Sequence, residues 1–110
     1  MGAQSQHNHL ERRIAMSIYM TFWRYTRDGM MDIKNTPERF ESVKEIYKIN
    51  GGKLIQAYSL IGPYDVVTIG ELPDEKALTK AILQICSKGR VTANSMTALP
   101  IEDFLDIIKA

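Results

Sequence analysis

The chain is poor in the residues that most often carry chemistry. Among 110 residues it has two histidines, one cysteine and one tryptophan, and both histidines, His7 and His9, fall in the first nine positions. A nucleophilic triad needs a histidine held by the fold, and so does the usual haem ligation of a small barrel. A zinc site needs three or four ligands at short spacings, which no cluster of His, Cys, Asp or Glu supplies here, so His7-Asn8-His9 reads as part of a solvated tail. The lone Cys86 has no internal disulfide partner, which points to a reducing compartment. With no apolar block of the secretory kind at the amino terminus, the expected location is the cytoplasm. No CxxC pair and no glycine-rich phosphate loop after a strand is present. No apolar run approaches the roughly 18 residues of a membrane span. Fourteen basic against thirteen acidic residues, mixed along the chain, remove the electrostatic case for a nucleic acid or membrane-surface partner. The expectation is a protein with no metal, no cofactor, no nucleic acid and no membrane.

What is present is pattern. Residues 1–15 are polar and basic with no apolar period before Leu10, and read as a flexible extension ahead of one folded domain over 16–110. Ser17 to Tyr25 has the aromatic and β-branched composition of a strand. Its two rows differ: Ile18, Met20 and Phe22 are plainly apolar, whereas Tyr19, Thr21, Trp23 and Tyr25 are amphipathic. Thr26-Arg27-Asp28-Gly29 ends the strand with turn residues. Thr36 as cap, Pro37 at the first helical position and Glu38 at the positive end of the dipole predict a helix that stops at Gly51-Gly52. Its buried stripe is Phe40, Val43, Ile46 and Tyr47. Two further strands, Lys53–Ile61 and Asp65–Leu72, are expected to join through a tight primed turn at Gly62-Pro63. Pro73-Asp74 opens a second helix with Ala77, Leu78, Ala81, Ile82, Ile85 and Cys86 buried, and Gly89 closes it. Val91–Leu99 is a fourth strand, and Pro100 starts a terminal helix with Ile101, Phe104, Leu105 and Ile108 on one side.

The order β-α-β-β-α-β followed by α predicts an α+β, ferredoxin-like sandwich in which right-handed crossovers place both connecting helices on one face of the sheet. The other face is then left uncovered. We assign Tyr19, Trp23, Tyr25 and Tyr58 to it, and expect a second copy of the chain to cover a patch of that size.

Taken in order, Thr26-Arg27-Asp28-Gly29, Asp32-Ile33-Lys34-Asn35-Thr36-Pro37-Glu38-Arg39, Gly51-Gly52-Lys53, Gly62-Pro63-Tyr64-Asp65-Val66-Val67 and Leu72-Pro73-Asp74-Glu75 resemble the GYD domain family of small dimeric α/β-barrel proteins. The resemblance spans about Ser17 to Ile108. It implies a ferredoxin-like protomer that forms a homodimer or higher oligomer through its sheet, and no established reaction. The fourth strand departs from the family, with Thr92 and Ala93 where the family has an Arg-Thr pair and Thr97 where it has a second Arg.

Candidate site residues follow from chemistry and position. Asp65 is either an acceptor for turn amides or a proton acceptor in a pocket. Tyr64, its neighbour, should point to the opposite face. Lys34 and Arg39 flank a helix start where an anion could sit, unless Arg39 pairs with an acid such as Asp65. Tyr19, Trp23 and Tyr58 could stack a flat ligand, or pack against a partner subunit. Gly70 inside a strand marks a bulge or a close contact. The third strand lacks the basic and aromatic residues with which this topology stacks RNA bases. Two functions remain: a non-catalytic module that binds a small anionic or aromatic molecule or self-assembles, and a cofactor-independent enzyme of monooxygenase or isomerase kind with Asp65 as proton acceptor.

Overall fold

The computed structural model describes residues 16–110. The expected extension over 1–15, with His7 and His9, lies outside the described residues. The elements are β1 (Ser17–Tyr25), α1 (Arg27–Met31), a 3-10 turn (Ile33–Asn35), α2 (Thr36–Ile49), β2 (Lys53–Ser59), β3 (Val66–Leu72), α3 (Glu75–Cys86), β4 (Val91–Ala98) and α4 (Ile101–Lys109). The strands form one four-stranded sheet in the order β2-β3-β1-β4. All neighbours run antiparallel, so β1 and β2 are parallel but separated by β3, and β3 and β4 are parallel but separated by β1. Each pair is bridged by a helix, which is the ferredoxin-like arrangement.

Local signals account for most boundaries. Asp74 caps α3, its Oδ1 accepting from the Ala77 N–H at 2.9 Å, and Gly89, at φ +77, ends the connection that follows. α2 starts one residue earlier than the sequence pattern indicates. Thr36 is itself helical, Asn35 holds the cap position without a side-chain bond, and the Thr36 hydroxyl donates back to the Ile33 carbonyl at 2.6 Å. α1 has no counterpart in the sequence pattern, because its five residues include Gly29. Thr26 caps it by accepting from the Gly29 N–H at 3.0 Å, and its own N–H donates to the Arg90 carbonyl at 3.0 Å. A Cβ on Gly29 would lie 1.9 Å from that carbonyl oxygen, so only glycine lets this turn dock.

The β2–β3 connection corrects the tight-turn expectation. Six residues, 60–65, separate the strands. The Leu60 N–H donates to the Asp65 carbonyl at 2.8 Å, while the Asp65 N–H turns away to the Trp23 carbonyl at 2.8 Å. The loop is thus held by β1 as well as by its own ends, and a two-residue turn could not reach both. Gly62 does adopt a positive φ, +148.

A second correction concerns the faces. Tyr19, Thr21 and Trp23 point toward the helices, where Tyr19 and Trp23 join Tyr47, Leu72, Ala81 and Ile85 in the core. The sequence reading places Tyr19, Trp23 and Tyr25 on the uncovered face instead; Tyr25 continues the inward row and borders the cleft under α2. The physical reason is that this row finds partners inside. Trp23 Nε1 donates to Thr68 Oγ1 at 2.9 Å, and the Thr21 and Ser95 hydroxyls bond at 2.7 Å, so Trp23 and Thr21 are buried with their polar tips satisfied. Gly70 makes room. A Cβ there would stand 2.6 Å from Tyr47 Cε2, and the register shift between Leu54 and Gln56 falls beside it. The cross-strand register puts Ile18, Met20 and Phe22 on the uncovered face, opposite Ile69 and Val67 on one side and Met96 and Asn94 on the other. Tyr58, paired with Val67, is on that face and half exposed.

Candidate functional site

A cleft of about 100 Å³ opens between α2 and the sheet, at the end where β1 leaves it. Its floor is Trp23, Val66, Thr68 and Val91 from the strands; Phe40, Val43 and Ile46 on the inner side of α2 form the roof, and Ile85 of α3 closes the back. These follow from helical and strand spacing: positions 40, 43 and 46 face the same way on α2, and Trp23 and Val66 are register partners. The mouth is polar, with Arg39, Lys88, Arg90, Tyr25 and Asp65.

Arg39 is oriented rather than free. Its Nη1 donates to the Asp32 carbonyl at 2.8 Å and to Asp32 Oδ2 at 3.0 Å, and Nη2 to Thr36 Oγ1 at 3.2 Å. Arg90 Nε reaches the same Asp32 oxygen at 3.4 Å, and Asn35 donates to the other. The acid that holds Arg39 is therefore Asp32, not Asp65. Lys34 is exposed on the 3-10 turn and does not line the cleft, so the expected Lys34–Arg39 pair does not converge. Three cations at the mouth, beside the carboxylates of Asp32 and Asp65, leave one positive charge in excess.

Asp65 is tied to β1. Its Oδ2 accepts the Tyr25 N–H at 2.8 Å, which completes the last backbone donor of the strand in place of a paired residue. Tyr64 sits on the other face, although both residues fall in the 60–65 loop and not in a strand. Its ring lies 5.3 Å from that of Phe22 and 5.1 Å from the Arg24 guanidinium carbon, and its hydroxyl accepts from Asn94 Nδ2 at 3.0 Å. Tyr64 and Asp65 thus share no cavity. Nor do Tyr19, Trp23 and Tyr58: Trp23 alone lines the cleft, Tyr19 is core, and Tyr58 is on the uncovered face. Sequence reasoning missed Asp32, Lys88 and Arg90; the available signal was Asp32 seven residues before Arg39, a separation that becomes a contact only once the 3-10 turn folds the segment back.

Behind the floor, Tyr47 is fully buried with its hydroxyl beside those of Thr68 and Thr21 but in bonding geometry to neither. Burial pushes its phenol above the ordinary value of 10.0, and the two threonines offset part of that. Burial also raises the Cys86 thiol, which makes it a poor nucleophile. Among the described residues no group of three or more His, Cys, Asp or Glu is placed to hold a metal ion, and no helix is long and apolar enough to cross a membrane.

The fold and cleft define a ferredoxin-like α+β protein with a helix-roofed cavity. The GYD domain matches residues 19–108, and the chain belongs to that family. It is 28% identical over 95 residues to a Thermus thermophilus protein named glutamine synthetase and cystathionine β-lyase binding protein, covering 86% of this chain and 100% of that one. Among solved structures it resembles a feast or famine regulatory protein from M. tuberculosis complexed with L-methionine, at TM-score 0.59 and 18% identity over 87% of this chain and 69% of that one. It is also similar to a cofactor-independent oxygenase from Streptomyces nogalater, at TM-score 0.48 and 10% identity over 77% of this chain and 92% of that one. At 18% identity the likeness to the regulatory protein is one of fold alone.

Proposed function

We propose that the chain is a non-catalytic binding module that self-associates through the uncovered sheet face and holds a small apolar anion in the α2 cleft. The observation that carries the ligand reading is the cleft's division into an apolar interior, from Phe40, Val43, Ile46, Val66 and Ile85, and a mouth with Arg39, Lys88 and Arg90 in cationic excess. An apolar body fills such an interior and a carboxylate stays at the rim, where two arginines are already oriented. The name of the Thermus relative describes binding to two enzymes, which supports the non-catalytic part of the reading and says nothing of a small ligand.

The competing reading, an enzyme with Asp65 as proton acceptor, asks the carboxylate to leave its place. Oδ2 completes the backbone of β1 through the Tyr25 amide, and protonation there would weaken a bond that fixes the strand end. This favours a structural Asp65.

The test is thermal unfolding with phenylacetate and with phenylacetamide, which differ in charge and hardly in shape. The acid at a hundredfold excess over its dissociation constant should raise the melting temperature on the order of 10 °C. Arg90→Gln should reduce that shift, and the amide should give little. Equal shifts from acid and amide, or none from either, would remove the anionic ligand from the account.

A further inference from the structure

Among the described residues, α4 is the one element that covers nothing of its own fold. All of residues 101–110 are exposed, including Ile101 at 59%, Ile107 at 65% and Ile108 at 63%. At about 100° per residue, Ile101, Phe104, Leu105, Ile107 and Ile108 occupy one continuous arc, and Glu102, Asp103, Asp106 and Lys109 fill the rest. A nine-residue helix of this kind has too little hydrogen bonding to hold itself in water, so its apolar arc needs a surface to lie on. Its own sheet does not offer one: only Leu99 and Pro100 separate α4 from β4, and Pro100 is extended, at φ -54 and ψ 141, which carries the helix onward instead of back.

We propose that α4 is an interface arm that packs on a second copy of this chain, extending the contact made by the uncovered sheet face. The inference rests on the self-association reading and deepens it. Area argues for the second copy as occupant. Four strands spaced ~4.8 Å apart and about seven to nine residues long present roughly 450 Å², against about 800 Å² per partner in a stable interface. The apolar arc of α4, with five large side chains about half exposed, adds on the order of 250 Å². The sheet face and the arm together approach what a lasting dimer buries; the sheet face by itself does not. The two surfaces are also continuous, since β4 carries Met96 on the uncovered face and runs through Leu99 into the arm, and Met96 and Leu99 are both about half exposed.

The experiment is sedimentation equilibrium on the full chain, on Phe104→Lys/Ile108→Lys, and on Asp103→Lys/Asp106→Lys as a control for charge on the polar side. The first variant should weaken the dimer at least tenfold and the second should leave it within about twofold, with the same far-ultraviolet circular dichroism of the sheet in all three. If the unaltered chain dimerises and the apolar-side variant dimerises equally well, the arm is overturned while self-association stands, and the stripe belongs to some other partner. If the unaltered chain has the 12.5 kDa mass of a single chain at every concentration, both fail together.

Discussion

The two faces of the sheet are built on different rules. The helix-covered face carries the side chains with more polar atoms: Tyr19, Thr21, Trp23 and Thr68, with Tyr47 laid over Gly70. The uncovered face carries the plainer ones: Ile18, Met20, Phe22, Ile69 and Met96. Hydrophobicity alone would have sorted them the other way. What decides is that an amphipathic side chain is buried at low cost only where its polar tip is met, and the tips of Trp23 and Thr21 are met by Thr68 and Ser95. The plain apolar row needs no such partners, so any apolar surface suffices, including one supplied by another copy.

The covered face should yield the largest single effect. Trp23→Ala removes the cleft floor and orphans the Thr68 hydroxyl, and should cost about 3–5 kcal/mol in urea unfolding. A loss under about 1 kcal/mol would mean that this face is not the core. Gly70→Ala sets a methyl against the Tyr47 ring and should cost about 1–3 kcal/mol. Asp65→Asn keeps a neutral acceptor for the Tyr25 amide and should cost about 1 kcal/mol, with phenylacetate binding retained; abolished ligand response would revive Asp65 as a functional carboxylate.

The smallest effect has the opposite sign. Tyr47→Phe deletes a hydroxyl that is buried without a partner and should be neutral or stabilising by up to about 1 kcal/mol. Because folding raises the phenol above 10.0, the unfolded chain loses that proton first as pH rises. The native protein should therefore lose stability above pH 10.0, and the phenylalanine variant should lose correspondingly less. Unfolding at about pH 9 and about pH 11, on either side of the free phenol's range, checks the difference.

Element order was legible in the sequence because caps, turns and periods are local: Asp74, Pro37, Gly51 and Gly89 mark their boundaries without help from the rest of the chain. The face of β1 was not, since both its rows are apolar enough to be buried. Only the distant Thr68, Ser95 and Tyr47 break the tie. The loop after β2 escaped for the same reason, as the Trp23 carbonyl that anchors Asp65 belongs to a strand far away in sequence. In the cleft, the apolar roof was readable from the period of α2, whereas the Asp32–Arg39–Arg90 cluster depends on a 3-10 turn and on α1 docking against Arg90, neither of which has a sequence period. The opposite orientations of Tyr64 and Asp65 agree with the expected alternation, although both residues lie in the loop ahead of β3 and not in the strand from which that alternation was argued.

The claim on which the account depends is that the uncovered row of Ile18, Met20, Phe22, Ile69 and Met96 meets a second identical chain. Sedimentation velocity at micromolar protein, comparing the unaltered chain with Met20→Asp/Ile69→Asp, tests it most directly. The account predicts twice the 12.5 kDa chain mass for the first and a folded single chain for the second. A folded, stable 12.5 kDa species for the unaltered chain would contradict it.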